Sequence, residues 1–328
     1  MKSTLACHFA PSLRVIRGQA TAPMTASAFA AGSQPIQRVP AEALLPMLGH
    51  HQVLELVARG GMCRVFLGAH AVTGQRIALK VLDDRWSEHE EIVARLLGEI
   101  EVSRRVPHDG LVHISDAARS SSGAAYLVME MLDGESLAKL LERGRMELGA
   151  VAAIGAQIAD AVAAMHAAEI VHCDLKPENV MLLYRDGLAG WPRVKVLDFG
   201  VARFGECSRV EQVAGTPCYM APEQWRGQAE PRSDVYGLGC LLYELTTGAA
   251  PFEGSIANVM SAHCDLLPTP MSARRQVPEV LDRLVSRMLA KEPGMRPRMV
   301  EIARALTDIA FALPPGARGD ATSATAAR

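Results

Sequence analysis

The spacing of apolar residues changes part-way along this chain. Between about residues 50 and 130 they alternate or run in short blocks, Val53 to Val57, Arg64 to Ala69, Arg76 to Leu82 and Ala125 to Met129, broken by Gly-bearing turns. Such runs predict β-strands. One helix is expected to interrupt them, from about Glu88 to Arg105. Beyond residue 150 the period becomes three and four. Val151, Ile154, Ile158, Val162 and Met165 form one stripe, and Leu238, Leu241, Leu242 and Leu245 another, with Gly248 as its stop. Strands first and helices later predict an α+β architecture: a small β-rich lobe with one helix, then a larger, mainly helical lobe. The join is expected near Glu130 to Gly134, and a cleft between lobes is where ligands usually bind.

The two ends differ from this middle. The first 41 residues hold four Lys/Arg and no Asp or Glu, among many Ala, Ser, Thr and Pro, so residues 1–47 are expected to be a flexible leader. An organelle transit peptide has the same composition, and both readings stay open; a secretory h-region is lacking. Residues 313–328, rich in Ala, Gly and Thr, are expected to be a disordered tail. One domain without repeats fills 48–312, divided at 132/133 into its two lobes. A net charge of -2 gives no reason to expect nucleic acid or a membrane surface as partner. Seven irregularly spaced cysteines, with no Cys-x-x-Cys, argue against a disulfide framework or zinc site and favour a reducing cytoplasm. No run of eighteen apolar residues occurs, so no membrane span is expected.

Several polar residues stand where apolar ones are due. In Ile77-Ala78-Leu79-Lys80-Val81-Leu82, Lys80 shares a strand face with Ala78 and Leu82. It is either an edge lysine reaching solvent or a buried amine that needs an anion. On the following helix, Glu99 falls on the stripe of Ile92, Leu96 and Val102 or Ser103. Two misplaced opposite charges are best explained by pairing. The turn Val57-Ala58-Arg59-Gly60-Gly61-Met62-Cys63-Arg64-Val65 could lay backbone N–H groups over phosphates, or be a plain hairpin. The strongest signal is His172-Cys173-Asp174-Leu175-Lys176-Pro177-Glu178-Asn179, with Asp198-Phe199-Gly200 nineteen residues beyond Asn179. Asp174 is the candidate base, Asn179 and Asp198 offer hard oxygens suited to Mg²⁺, and Lys176 brings a positive charge to a transferred group.

These motifs resemble those of the eukaryotic-like serine/threonine protein kinases of bacteria, over roughly residues 50 to 309. Further matches are Gly215-Thr216-Pro217-Cys218-Tyr219-Met220-Ala221-Pro222-Glu223, Asp234-Val235-Tyr236-Gly237-Leu238-Gly239, Arg296-Pro297, His108, and Tyr126-Leu127-Val128-Met129-Glu130. The resemblance implies the bilobal protein-kinase fold and an ATP-dependent enzyme that phosphorylates Ser or Thr of signalling proteins. It implies a Lys80–Glu99 ion pair, Asp174 as base beside Lys176, and Mg²⁺ on Asn179 and Asp198. It implies ATP contacts at Val57, Gly60, Gly61, Val65 and Ala78, with Met129 as gatekeeper and Glu130 and Leu132 in the hinge. Arg296 would pair with Glu223, and Lys176 with Thr216 implies Ser/Thr rather than Tyr acceptors.

Three departures qualify the match. Of the family's three loop glycines only Gly60 stands; Ala58 and Cys63 occupy the others, which predicts a weaker grip on ATP. Cys63 is either a small tolerated residue or a redox-sensitive thiol. Cys173 replaces the usual arginine before the base, and Ser208 is the only hydroxyl between Val201 and Gly215, so activity independent of loop phosphorylation is expected. Leu183 to Arg193 is read as a lengthened surface turn. The alternative to an active kinase is a pseudokinase serving as a nucleotide-sensing or scaffolding module. A small-molecule phosphotransferase would lack the Gly-Thr-Pro…Ala-Pro-Glu segment.

Overall fold

The computed structural model describes residues 47–121, 123–184, 191–199, 203–204 and 216–313. The expected leader, apart from Met47, the expected tail, apart from Leu313, and Ser208 lie outside the described residues.

The first lobe is one antiparallel sheet and one helix. Its elements are β1 (Met47–Leu48), β2 (His51–Arg59), β3 (Cys63–His70), β4 (Arg76–Leu82), α1 (Glu90–Arg105), β5 (Ile114–Arg119) and β6 (Ala125–Glu130), with sheet order β1-β2-β3-β4-β6-β5. All four expected strands are present, each within a few residues of its expected ends. The unexpected β1 and β5 are the two edges. In β5 Ser115, Asp116 and Arg119 are exposed, so it lacks the period-two apolar signal of a half-buried strand. Alternation along β4 divides the lobe. Ile77, Leu79 and Val81 join Val53, Tyr126 and Val128 in an outer cluster, while Leu82 packs inward with the α1 residues Val93 and Leu96. The buried stripe of α1 is Val93, Leu96, Glu99, Val102 and Ser103; Ile92, expected on it, is only half-buried. Glu90 and Glu91 begin α1 and Arg104 and Arg105 end it, which suits the helix dipole.

The second lobe follows with β7 (Glu135–Ser136), α2 (Leu137–Leu141), α3 (Leu148–Ala167), β8 (Ile170–Val171), β9 (Val180–Leu183), β10 (Arg193–Val196), β11 (Arg203–Phe204), α4 (Pro231–Thr247), α5 (Ile256–Asp265), α6 (Glu279–Met288) and α7 (Met299–Ala312). Helix α3 is long and apolar enough to cross a bilayer by composition alone. Here Val151, Ile154, Ile158, Val162 and Met165 are wholly buried and it packs on α4 and α7, so it is the core helix of this lobe. Gly248 ends α4 in the left-handed region, its N–H bonded to Glu244 O at 2.7 Å. Strands β9 and β10 pair with Leu183 opposite Arg193, so the lengthened turn is a hairpin connection; its residues 185–190 lie outside the described ones.

Helix α5 docks through His263, whose side chain is fully buried. The Tyr236 hydroxyl of α4 lies 2.9 Å from its Nδ1, and the Tyr236 and Phe252 rings meet it edge to face. Burial, and then the neighbouring Lys291 ammonium, pull its pKa down to about 4. An unfolded histidine takes its proton near pH ~6.5. The neutral ring therefore favours the fold fully above that pH, and this contribution is lost as pH falls towards 4, about 3–4 kcal/mol in all at ~1.4 kcal/mol per pKa unit. Urea unfolding is expected to show stability falling between pH 6.5 and 4, with a shallower fall in His263→Phe. An identical slope in the variant would remove His263 as the cause.

Candidate active site

A cleft of about 200 Å³ separates the sheet from the helical lobe. Val57 and Val65 of β2 and β3 and Ala78 of β4 line it from the sheet. Met129, Glu130 and Leu132 line it at the joining segment, and Lys80, Asn179 and Asp198 at its polar end. Gly60 lies on its wall; a Cβ there would come within 3.2 Å of the Cys63 carbonyl, to which the Gly60 N–H is bonded at 2.7 Å. Gly61 does not line the cleft. It is exposed at the tip of the turn, and its carbonyl accepts from Arg85. Sequence reasoning missed Met131, Met181, Leu197 and Val112 as lining residues. Two had a usable signal: Met181 follows Asn179 by two on a strand, and Leu197 immediately precedes Asp198.

Lys80 is the centre of charge. Its Nζ lies 2.6 Å from Glu99 Oε1 and 3.1 Å from Asp198 Oδ1. Burial alone would pull the ammonium down, but the carboxylates of Asp198 and Glu99 more than offset it, so its pKa is raised. Burial pushes the Glu99 carboxyl up, and Lys80 opposes that rise. Phe199 N also donates to Glu99, at 3.4 Å. The open choice between a solvent lysine and a paired one is thus decided by α1, which carries Glu99 under the sheet.

The loop after β8 is held from behind. Asp234, near the start of α4 and almost wholly buried, accepts the backbone N–H groups of His172 and Cys173, both at 2.8 Å, and His166 Nε2 at 2.8 Å. Cys173 has φ 68° and Asp198 φ 64°. Left-handed non-glycine residues cost about 1–3 kcal/mol each and persist only where their surroundings hold them, often at functional sites. Leu197 N bonds Asn179 O at 2.8 Å, which brings Asn179 and Asp198 together across the base of the β9–β10 hairpin.

Among the described residues, Asp174 receives four donors. Lys176 Nζ at 2.5 Å and Asn179 Nδ2 at 3.2 Å reach Oδ2; Thr216 N at 3.0 Å and Thr216 Oγ1 at 3.4 Å reach Oδ1. Burial lowers the Lys176 pKa, but Asp174 outweighs that and the net change is upward, so Lys176 stays a cation at neutral pH. The Asn179 nitrogen is committed to Asp174, which leaves its oxygen for a cation, and the Asp198 side chain is 41% exposed. Two hard oxygens at the edge of an open cleft fit Mg²⁺, which keeps waters and shares phosphate ligands.

One buried and one half-buried ion pair frame the site among the described residues. Glu223 and Arg296 pair at 2.6 and 2.9 Å and anchor the segment that begins at Thr216. Lys195 of β10 was not singled out in the sequence. Its Nζ reaches Glu130 Oε1 at 2.6 Å and Leu111 O at 3.1 Å, tying the second lobe to the joining segment.

Comparison with known proteins agrees with this geometry. The protein kinase domain family matches residues 51–306. The chain is 36% identical over 271 residues to serine/threonine-protein kinase Pkn1 of Myxococcus xanthus, covering 80% of this chain and 38% of Pkn1. It is 39% identical over 243 residues to serine/threonine-protein kinase PkaA of Streptomyces coelicolor, covering 72% and 44%. It is 35% identical over 260 residues to serine/threonine-protein kinase PknA of Mycobacterium tuberculosis, covering 76% and 58%. The chain thus spans less than two thirds of the length of these relatives. With the motif residues gathered on one cleft and the match running through both lobes, the chain belongs to the protein kinase domain family, on its bacterial serine/threonine branch.

Proposed function

We propose that this chain transfers the γ-phosphoryl group of ATP to Ser or Thr hydroxyls of proteins. The observation that carries the reading is convergence: Lys80, Asp174, Lys176, Asn179 and Asp198 reach one another through a chain of contacts of 3.2 Å or less, apart from the Asn179–Asp198 step made by adjacent backbone. Asp174 accepts the proton of the acceptor hydroxyl. Lys176 places its charge beside the group in transit. Lys80, held by Glu99, meets phosphate oxygens. Mg²⁺, when bound by Asn179 and Asp198, supplies neutralisation of phosphate charge. Val57, Val65, Ala78, Met129, Glu130 and Leu132 form the adenine side of the cleft. The kinase domain is assigned to 48–312, with lobes 48–132 and 133–312, and its setting is assigned as the cytoplasm; none of the five described cysteines forms a disulfide.

The test is incubation with labelled ATP and a mixture of proteins, followed by mass spectrometry. Label on Ser or Thr that vanishes when Mg²⁺ is chelated supports the reading. Tight Mg²⁺-dependent nucleotide binding without transfer to any protein overturns it in favour of a scaffolding role.

The altered glycine loop gives a second expectation. Ala58 is buried and Cys63 lines the cleft, so both side chains occupy space beside the site proposed for the phosphates. Cys63→Gly is expected to lower KM for ATP several-fold, since glycine lets the backbone approach a ligand closely. An unchanged or higher KM would show that the thiol is no obstacle.

A further inference from the structure

Gln224 stands in none of the motifs discussed above, yet it touches the residue next to Asp174. It follows Glu223 at the head of a short 3-10 turn, Gln224–Arg226, and its side chain is buried. Its Oε1 accepts from Ala221 N at 2.9 Å, and its Nε2 donates to the Cys173 carbonyl at 2.8 Å. Cys173 is the residue held at φ 68°, and its own N–H is bonded to Asp234. The Cys173 carbonyl belongs to the peptide plane that carries the Asp174 N–H. Rotating that plane swings the Asp174 carboxylate. The plane is therefore fixed on one side by the Asp174 N–H, 3.3 Å from His172 Nδ1, and on the other by Gln224.

The side chain of Cys173 brings no charge to this loop; its thiol points to the Val171 carbonyl at 3.6 Å. The segment that starts at Thr216 grips the loop instead with uncharged donors, Thr216 on the Asp174 carboxylate and Gln224 on the Cys173 carbonyl. We propose that Gln224 is a positioning residue for phosphoryl transfer, which sets the orientation of Asp174 from the acceptor side of the site by a hydrogen bond. The proposal rests on the reading of Asp174 as base.

Two variants test it. Gln224→Met keeps the volume and removes both hydrogen bonds. Gln224→Glu keeps the acceptor for Ala221 N, but when ionised it sets an oxygen against the Cys173 carbonyl; only its protonated form restores a donor. The charged groups around it are Asp174 on the loop, Asp234 on α4, and Glu223 with Arg296, and the two aspartates line the same small pocket as Gln224. Burial favours protonation of a carboxyl placed there, and so do the two aspartates, partly offset by Lys176 on Asp174 and by His166 beside Asp234. Leaving a buried carbonyl unsatisfied typically lowers rates about tenfold or more when it misplaces a catalytic group.

The expected result is a kcat reduced about tenfold in Gln224→Met, with KM for ATP unchanged and thermal unfolding confirming a folded protein. For Gln224→Glu, the ratio of variant to wild-type kcat is expected to rise as pH falls from 8 towards 6. Unchanged kcat in both variants, a matching rise in KM for ATP, or a Gln224→Glu ratio flat with pH would each overturn the proposal. A wild-type protein with no transfer at all would instead bring down the kinase reading, and this one with it.

Discussion

Asp174→Asn is expected to lower kcat for Ser or Thr phosphorylation about 10²–10⁴-fold, the usual cost of losing a general base. The exchange keeps the shape of the side chain, but one accepting oxygen becomes an NH₂ that faces two donors, either Thr216 N and Oγ1 or Lys176 Nζ and Asn179 Nδ2. The ability to take a proton is lost, and so are two accepted hydrogen bonds and the full attraction for Lys176, now 2.5 Å away. Lys80, Glu99 and Asp198 lie outside this exchange, so ATP affinity should stay near wild type. The residual rate would report what alignment and charge stabilisation supply without the base. Single-turnover kinetics with saturating Mg·ATP separate these contributions. A loss of less than about tenfold would take Asp174 out of the base role, and a large change in nucleotide affinity would mean that the loop itself had shifted.

The largest effect on stability is expected for Arg296→Met. The Arg296 guanidinium is wholly buried and every N–H is used: two meet Glu223, and the others meet the carbonyls of Ala290, Lys291 and Arg232. It also lies 4.9 Å over the Tyr236 ring. Removing one partner of a buried pair strands the other, at a typical cost of about 3–5 kcal/mol. In a domain of this size that corresponds to a fall in Tm of about 10 °C. Glu223→Gln in the same chain should recover part of the loss, because a neutral amide tolerates burial better than an unpaired carboxylate. Denaturant titration of the two single variants and the double variant checks this. A single-variant loss below about 1 kcal/mol would show that water reaches Glu223. Activity should fall with stability, since Glu223 anchors the stretch that delivers Thr216 to Asp174 and Gln224 to Cys173.

Much of this was legible in the linear chain, for a physical reason. Lys80 and Glu99 are charges in apolar rows, and a fold must reconcile such charges, so the pair could be read before any geometry. Asp174, Lys176, Asn179 and Asp198 crowd a short stretch of sequence, and two adjacent loops suffice to join them. Ala78 follows from strand alternation with Lys80, whereas Val57 and Val65 came from the family resemblance and line the cleft beside it. Legibility ends where a role depends on a neighbour distant in sequence. Lys195 carries no local signal in the sequence, yet β10 buries it and its Nζ reaches Glu130, 65 positions earlier. Gln224 is 51 positions from the carbonyl it holds. Strand β5 carries a polar, edge-type sequence and is recruited by β6. Gly61 was placed on the cleft because adjacent glycines cannot be told apart by composition; the turn gives the wall to Gly60 and the tip to Gly61.

The thiol at the roof of the cleft has one more implication. Burial, partly opposed by the Lys80 ammonium, pushes Cys63 up to about 12. At pH 7 far fewer such groups carry the negative charge on sulfur that peroxides and alkylating agents attack than the few per cent of an ordinary cysteine. Of the two roles open to Cys63, the raised pKa favours the chemically quiet filler over the oxidation sensor. A nucleotide pocket with a cysteine in its ceiling would then ride through oxidative stress with that sulfur untouched, and iodoacetamide should label it far more slowly than an exposed thiol.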